Sequence, residues 1–226
     1  LIVESFPSTV QRIAYAQEVP ALLPAVTDVS EQVYTIWQAQ REKHGEDKGR
    51  QTPEQAFRLL PTDCKKFVEE VRSLAPAERV RHIERFVRAI GYYDFRNGET
   101  EGERVGASLK VRWELMRQRM KLLQAESPKD PALAAKKIAG VCVDFQELTT
   151  TLLRAAGCIA GKLSALRVHN ETKVTSQDAH ALSYVEWPTD NGGSMRIPVD
   201  GTPNGTNAEE EKVLDRIQEA TQEERA

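Results

Sequence analysis

Residues 137–161, KIAGVCVDFQELTTTLLRAAGCIAG, constrain the fold more than any other stretch of the chain. Phe145, Leu148, Leu152 and Ala156 recur at offsets of three and four, with Leu153 beside them, so one face of a helix beginning near Cys142 must be buried. Gly157 predicts its C-terminal stop. A glycine-led turn delivers Cys142 into the first turn of that helix, where unpaired backbone N–H groups and the positive end of the dipole favour a thiolate over a thiol. Cysteine is also among the residue types most often buried as a small inert hydrophobe, so position alone does not make a nucleophile.

A chain of 226 residues supports one substantial core, or one domain with an extension. With 40% hydrophobic and 29% charged residues and a formal net charge of -3, it has the composition of a soluble globular protein and no basic surplus for nucleic acid. No run approaches the ~20 apolar residues that span a bilayer. The opening LIVESFPSTV has neither a basic region nor a cleavage site, and no initiator methionine precedes it, so the chain reads as an excised or processed piece of a longer polypeptide. Cys64, Cys142 and Cys158 form no CxxC, which argues against a disulfide framework and against a structural zinc site. His44, His82, His169 and His180 form no HExxH and no i, i+4 pair, and neither metal nor cofactor is expected.

Residues 1–27 carry three prolines and no clean period, which suits an extended arm or a strand with a loop. From Ser30, a good N-cap, Val33, Ile36, Trp37 and Gln40 predict a helix that fades into the charged, glycine-bearing run 43–50. That run divides an N-terminal extension, 1–49, from a main domain, 50–226. Thr52-Pro53-Glu54-Gln55 has the cap, first-turn proline and third-position glutamine of a capping box, and the short helix it opens stops at Pro61. Phe67, Val68, Val71 and Leu74 mark a second helix. Pro76 opens a third, with Val80, Ile83, Phe86, Val87 and Ile90 facing inward, that ends at Gly91. His82 lies between these apolar positions and reads as a solvated or half-buried structural histidine.

Residues 92–106 mix aromatics with glycine and acid and read as a loop. A long helix over about 107–124 follows, whose stripe of Leu109, Trp113, Met116 and Met120 is explained by core or partner-helix packing. Asp130-Pro131 restarts a short helix. Beyond Gly161 the period becomes extended: residues 162–168 predict a strand and 170–177 a polar connection. Residues 180–187 and 195–200 then alternate on either side of Asp190-Asn191-Gly192-Gly193, a hairpin pattern. The tail from 205 has Asn207 and Glu210 in capping-box spacing and a narrow stripe of Val213, Leu214 and Ile217.

In an antiparallel pair, opposed positions sum to a constant. A turn centred on 190 or 191 therefore sets His180 opposite Asp200 or opposite its neighbour two along, with both side chains on one face. A slip of one residue would separate them. Pro198 lacks a donor and is expected at an unpaired edge or a bulge.

A thiolate nucleophile needs a base, and the base needs an orienting acceptor on its other nitrogen. Cys142, His180 and Asp200 supply the three roles in chain order. Such a set attacks an amide or ester carbonyl to form an acyl-thioester, with His180 protonating the leaving amine and a backbone N–H at the helix start as one oxyanion donor. Asp144 and Gln146, close to Cys142, either line the cleft or act as surface or capping residues of the helix. Cys158 reads as a packed thiol and Arg154 as a structural ion-pair partner.

At Gly140-Val141-Cys142, Leu152-Leu153-Arg154-Ala155-Ala156-Gly157, His180-Ala181 and Val199-Asp200-Gly201-Thr202 the chain resembles the transglutaminase-like superfamily of papain-fold thiol enzymes. The resemblance covers about residues 76–203, with Gly91-Tyr92-Tyr93-Asp94 as its lead-in. It implies an α+β fold with a papain/transglutaminase-like core: a nucleophile helix on an antiparallel sheet, a helical N-terminal part, and a helical insertion between Tyr93 and Gly140. It further implies Cys142 as nucleophile, His180 as base and Asp200 as its orienter, acting on a protein or peptide substrate. Hydrolysis of peptide or side-chain amides is the expected activity. Cross-linking of glutamine to amines, and an inactive scaffold of the same fold, are the alternatives. The chain departs from the family at Cys158-Ile159-Ala160-Gly161, which lacks the usual proline and arginine, at Leu182, where a tryptophan is usual, and at Gly201, where a proline is usual. Some relatives use calcium, but no acidic loop here has its ligand spacing.

Overall fold

The computed structural model describes residues 10–13, 31–43, 49–94, 107–126, 137–167, 179–188 and 193–203. In order they form β1 (Val10–Ile13), α1 (Glu31–Lys43), α2 (Pro53–Leu59), α3 (Thr62–Val71), α4 (Pro76–Ile90), β2 (Gly91–Tyr93), α5 (Leu109–Glu126), β3 (Ile138–Gly140), α6 (Cys142–Ala155), β4 (Ala160–Arg167), β5 (Ala179–Pro188) and β6 (Ser194–Val199). The architecture is α+β. Strands β1, β4, β5 and β6 form one sheet in that order; β4, β5 and β6 are antiparallel, and β1 runs parallel to β4. A second, two-stranded sheet pairs β2 with β3 in parallel.

Helix α6 lies at the centre, with Phe145, Leu148, Leu152 and Leu153 fully buried, as its apolar period requires. Its end is a Schellman motif. Gly157 has φ of 86°, its N–H bonds the Arg154 carbonyl at 2.9 Å, and the Cys158 N–H bonds the Leu153 carbonyl at 2.9 Å. Cations meet the remaining carbonyls, with Arg72 Nε donating to Ala155 O at 2.8 Å, which complements the negative end of the dipole. Arg154 serves the same corner by donating to Ala160 O at 2.9 Å and Gln51 Oε1 at 3.2 Å, so its hydrogen bonds go to neutral acceptors.

The capping box at α2 forms reciprocally, Gln55 N–H to Thr52 Oγ1 at 3.2 Å and Thr52 N–H to Gln55 Oε1 at 2.9 Å. In α4, Val80, Ile83, Val87 and Ile90 are buried while Phe86, half-buried, stacks on Phe67 with ring centroids 3.9 Å apart. Leu74, expected on the second helix, lies beyond the end of α3. The stripe Leu109, Trp113, Met116 and Met120 on α5 is buried as a unit. No helix among the described residues is long and apolar enough to cross a membrane.

Helix α1, placed by sequence in the extension, shares the central core. Tyr34 and Trp37 are buried, Tyr34 packs on Trp187 of β5 at 5.2 Å between centroids, and Tyr34 Oη accepts the Ile159 N–H at 3.4 Å. Arg41 pairs with the buried Glu186 at 2.7 Å. Its inward face therefore runs through 34, 37, 38 and 41; Ile36, expected inside, is 51% exposed, because the aromatic pair outweighs one isoleucine in choosing the face.

Two short segments differ from expectation. The first residues of the expected 92–106 loop and the glycine-led turn before Cys142 form β2 and β3, three residues each, with Tyr93 paired to Gly140. Strands that short leave no period to read. The expected helix at 130, the connections 170–177 and 189–192, and the tail from 205 lie outside the described residues.

Replacement of Leu152, sealed in the centre, by alanine is expected to cost about 2–5 kcal/mol of unfolding free energy in urea titration. Ile36→Ala, at an exposed site, is expected to change it by less than about 0.5 kcal/mol.

Candidate active site

Cys142 is the first residue of α6, half-buried, with Val141 as the extended residue before it. Its own backbone N–H is one of the helix's unpaired donors. His180 lies near the start of β5 and Asp200 immediately after β6, both buried. Ser183 faces Val199 across the β5–β6 ladder, which centres the hairpin on residue 191, the second of the two registers expected. Pro198 is on β6, which is an edge strand of the sheet among the described residues.

That register brings the imidazole and carboxylate together: His180 Nε2 is 2.8 Å from Asp200 Oδ2. Asp200 is itself held on two sides. Its other oxygen accepts the Thr202 N–H at 2.9 Å, and its backbone carbonyl accepts from Arg88 Nε at 2.8 Å. Arg88 in turn pairs with Glu84 at 2.9 Å along α4. Burial pushes the Glu84 carboxyl up; Arg88 opposes this and the Asp200 charge adds to it. Helix α4 therefore helps position the carboxylate that is hydrogen-bonded to the histidine.

The β5–β6 ladder ends at the Ser183–Val199 pair, and Cys142 meets β5 just beyond it. Burial pushes the Cys142 thiol up. Hydrogen bonds from the His180 ring and the Ala181 backbone, the imidazolium charge, and a hydrogen bond from Tyr93 outweigh it and hold the thiol below its ordinary value. With Nε2 engaged by Asp200, Nδ1 is the ring nitrogen left for the sulfur. Cys64 has no such company: burial first, then the Asp63 charge, pushes its thiol up to about 12. Cys158 is a buried, packed thiol.

All three residues singled out in the sequence thus meet, and the two secondary candidates find structural roles instead. Asp144 is fully buried, accepts the Val141 N–H at 3.2 Å and so ties down the start of the helix, and pairs with Arg112 at 3.0 Å. Gln146 donates its amide to Leu163 O at 2.9 Å and Leu182 O at 2.7 Å, tying α6 to β4 and β5 rather than entering a cleft. His82 is half-buried on α4, and burial, then Arg85, lowers its pKa. Glycine at two positions near the site has a steric reason. A Cβ at Gly161 would fall 2.4 Å from the Tyr184 ring, and one at Gly201 would fall 2.2 Å from Thr149 Oγ1.

Tyr93 is the site residue that periodicity missed. It reaches the sulfur because β2 pairs with β3, the strand that runs into Cys142. The aromatic pair after the helix-ending Gly91 was its one visible signal. No protein-family model, curated protein or solved structure matches the chain. Among the described residues, no group of three or more His, Cys, Asp and Glu side chains is placed to hold a metal ion.

Native protein treated with iodoacetamide near neutral pH is expected to label at Cys142 first, with peptide mapping as the readout. Cys64 should stay unlabelled until unfolding, since a thiol with a pKa of about 12 is ionised to on the order of one part in 10⁵ at pH 7.

Proposed function

We propose that the chain is a thiol-dependent acyl-transfer enzyme, hydrolysing peptide or side-chain amide bonds through a thioester on Cys142, built on a papain/transglutaminase-like core. The observation that carries this reading is the buried His180–Asp200 pair, 2.8 Å apart, set beside a Cys142 thiol that the imidazole helps hold below its ordinary value. A buried imidazole with a carboxylate on one nitrogen and a sulfur on the other is suited to hold a thiolate–imidazolium pair.

The thiolate adds to the carbonyl carbon, and the carbonyl oxygen takes up the negative charge. The Cys142 backbone N–H and the Tyr93 hydroxyl are the donors we assign to that oxygen, since both converge on the sulfur's surroundings. Collapse of the adduct breaks the C–N bond, and the leaving amine takes the proton from His180. Neutral His180 then takes a proton from water as its oxygen attacks the thioester, and the thiolate leaves beside a restored imidazolium. Asp200 holds the ring tautomer throughout.

The test is incubation of the full chain with a mixture of unstructured peptides, with and without a primary amine, read by mass spectrometry. Products dependent on Cys142 are expected, lost in Cys142→Ala, with Asp200→Asn slower by about 10²–10⁴-fold and Tyr93→Phe lowering kcat by about 10²-fold with little change in KM. An isopeptide to the added amine would move the reading to cross-linking. Identical products from Cys142→Ala would overturn both.

A further inference from the structure

Arg112, Met116 and Arg119 follow one another on α5 at offsets of four and three and so share one face of that helix. This face grips two of the segments that meet at the sulfur, the start of α6 and the end of β2. Arg112 Nη1 lies 3.0 Å from Asp144 Oδ1, and Asp144 sits two residues after Cys142 with its other oxygen on the Val141 N–H. Arg119 pairs with Asp94, the residue after Tyr93, whose N–H bonds Gly140 O at 3.0 Å. Met116 is buried between them. Both carboxylates are nearly sealed from water, 0% exposed for Asp144 and 5% for Asp94.

A buried carboxylate in the same helical turn as a thiolate opposes its ionisation, because like charges in a poorly solvated site raise each other's pKa. A guanidinium seated on that carboxylate cancels most of the effect. The ionisable groups that act directly on the sulfur are His180 from β5, with Asp200 behind it, and Tyr93 from β2; Asp144, two residues along α6, and Arg112 from α5 stand behind the helix start. Asp94 with Arg119, and Glu84 with Arg88, lie farther back. Arg112 can be removed without touching the His180–Asp200 pair.

Resting on the reading of Cys142 as nucleophile, we propose that α5 sets the sulfur's reactivity: Arg112 is a positioning residue that neutralises Asp144 beside the nucleophile, while Arg119 anchors the strand bearing Tyr93. The inserted helix is thereby part of the working site and not a covering.

The experiment is the pH dependence of Cys142 alkylation by iodoacetamide in the full chain, with circular dichroism to verify folding. Arg112→Met is expected to raise the midpoint by about one pH unit. Asp144→Asn, isosteric and still an acceptor for the Val141 N–H, is expected to lower it. The double variant should return close to wild type, and Arg112→Lys should stay there. If Arg112→Met fails to fold, the sign of the Asp144→Asn shift decides. Unchanged midpoints, or single variants moving in the same direction, overturn the role of α5 while wild-type Cys142 still ionises low. A wild-type Cys142 that reacts no faster than a denatured-state thiol overturns the nucleophile reading itself, and this inference with it.

Discussion

Leu148, Leu152 and Leu153 are sealed from water on the face that α6 turns to its neighbours, and each such side chain contributes about 1.5–3 kcal/mol on burial. The site depends on that packing. Because α6 begins at Cys142, rotation or translation of the helix would carry the sulfur with it. Gln146, one turn in, pins the helix to β4 and β5 by two carbonyl bonds, and the Schellman turn with its arginines closes the far end. The sulfur is thus placed by hydrocarbon and held in register by a few directional bonds.

Burial opposes the same sulfur carrying charge. The structure meets that cost with donors: an imidazole, a backbone N–H past the end of a ladder, and a phenol from a three-residue strand. It treats its other buried charges alike, pairing Asp144 with Arg112, Asp94 with Arg119, and Glu186 with Arg41 and Arg50. Such pairs add little net stability compared with apolar replacements, yet breaking one side leaves a lone buried charge at a cost of about 3–5 kcal/mol. Their value lies in geometry: each joins segments distant in sequence, α5 to α6, α5 to β2, and α1 to β5.

Where a residue's role followed from a repeating pattern, it was legible in the sequence. The α6 face, the α5 stripe, the Thr52 box and the hairpin register were all readable, and the register alone brought His180 and Asp200 into reach. Roles that arise from tertiary contact were not. Tyr93 depends on two three-residue strands with no period. Arg88, Arg112 and Arg119 look like ordinary solvated helix residues until their carboxylate or carbonyl partners are known. The inward face of α1 turned on Tyr34 meeting Trp187, a contact between residues far apart in the chain.

The claim on which the account rests is that the Cys142 sulfur is a thiolate held by His180 and Asp200. Ultraviolet thiolate absorbance, taken as the difference between wild type and Cys142→Ser and followed against pH, tests it most directly. The account predicts that the signal is already present at neutral pH, disappears only on acidification, and moves toward the ordinary thiol range of about 8.5 in His180→Gln. A difference signal that appears only at or above that range in the wild type would contradict it.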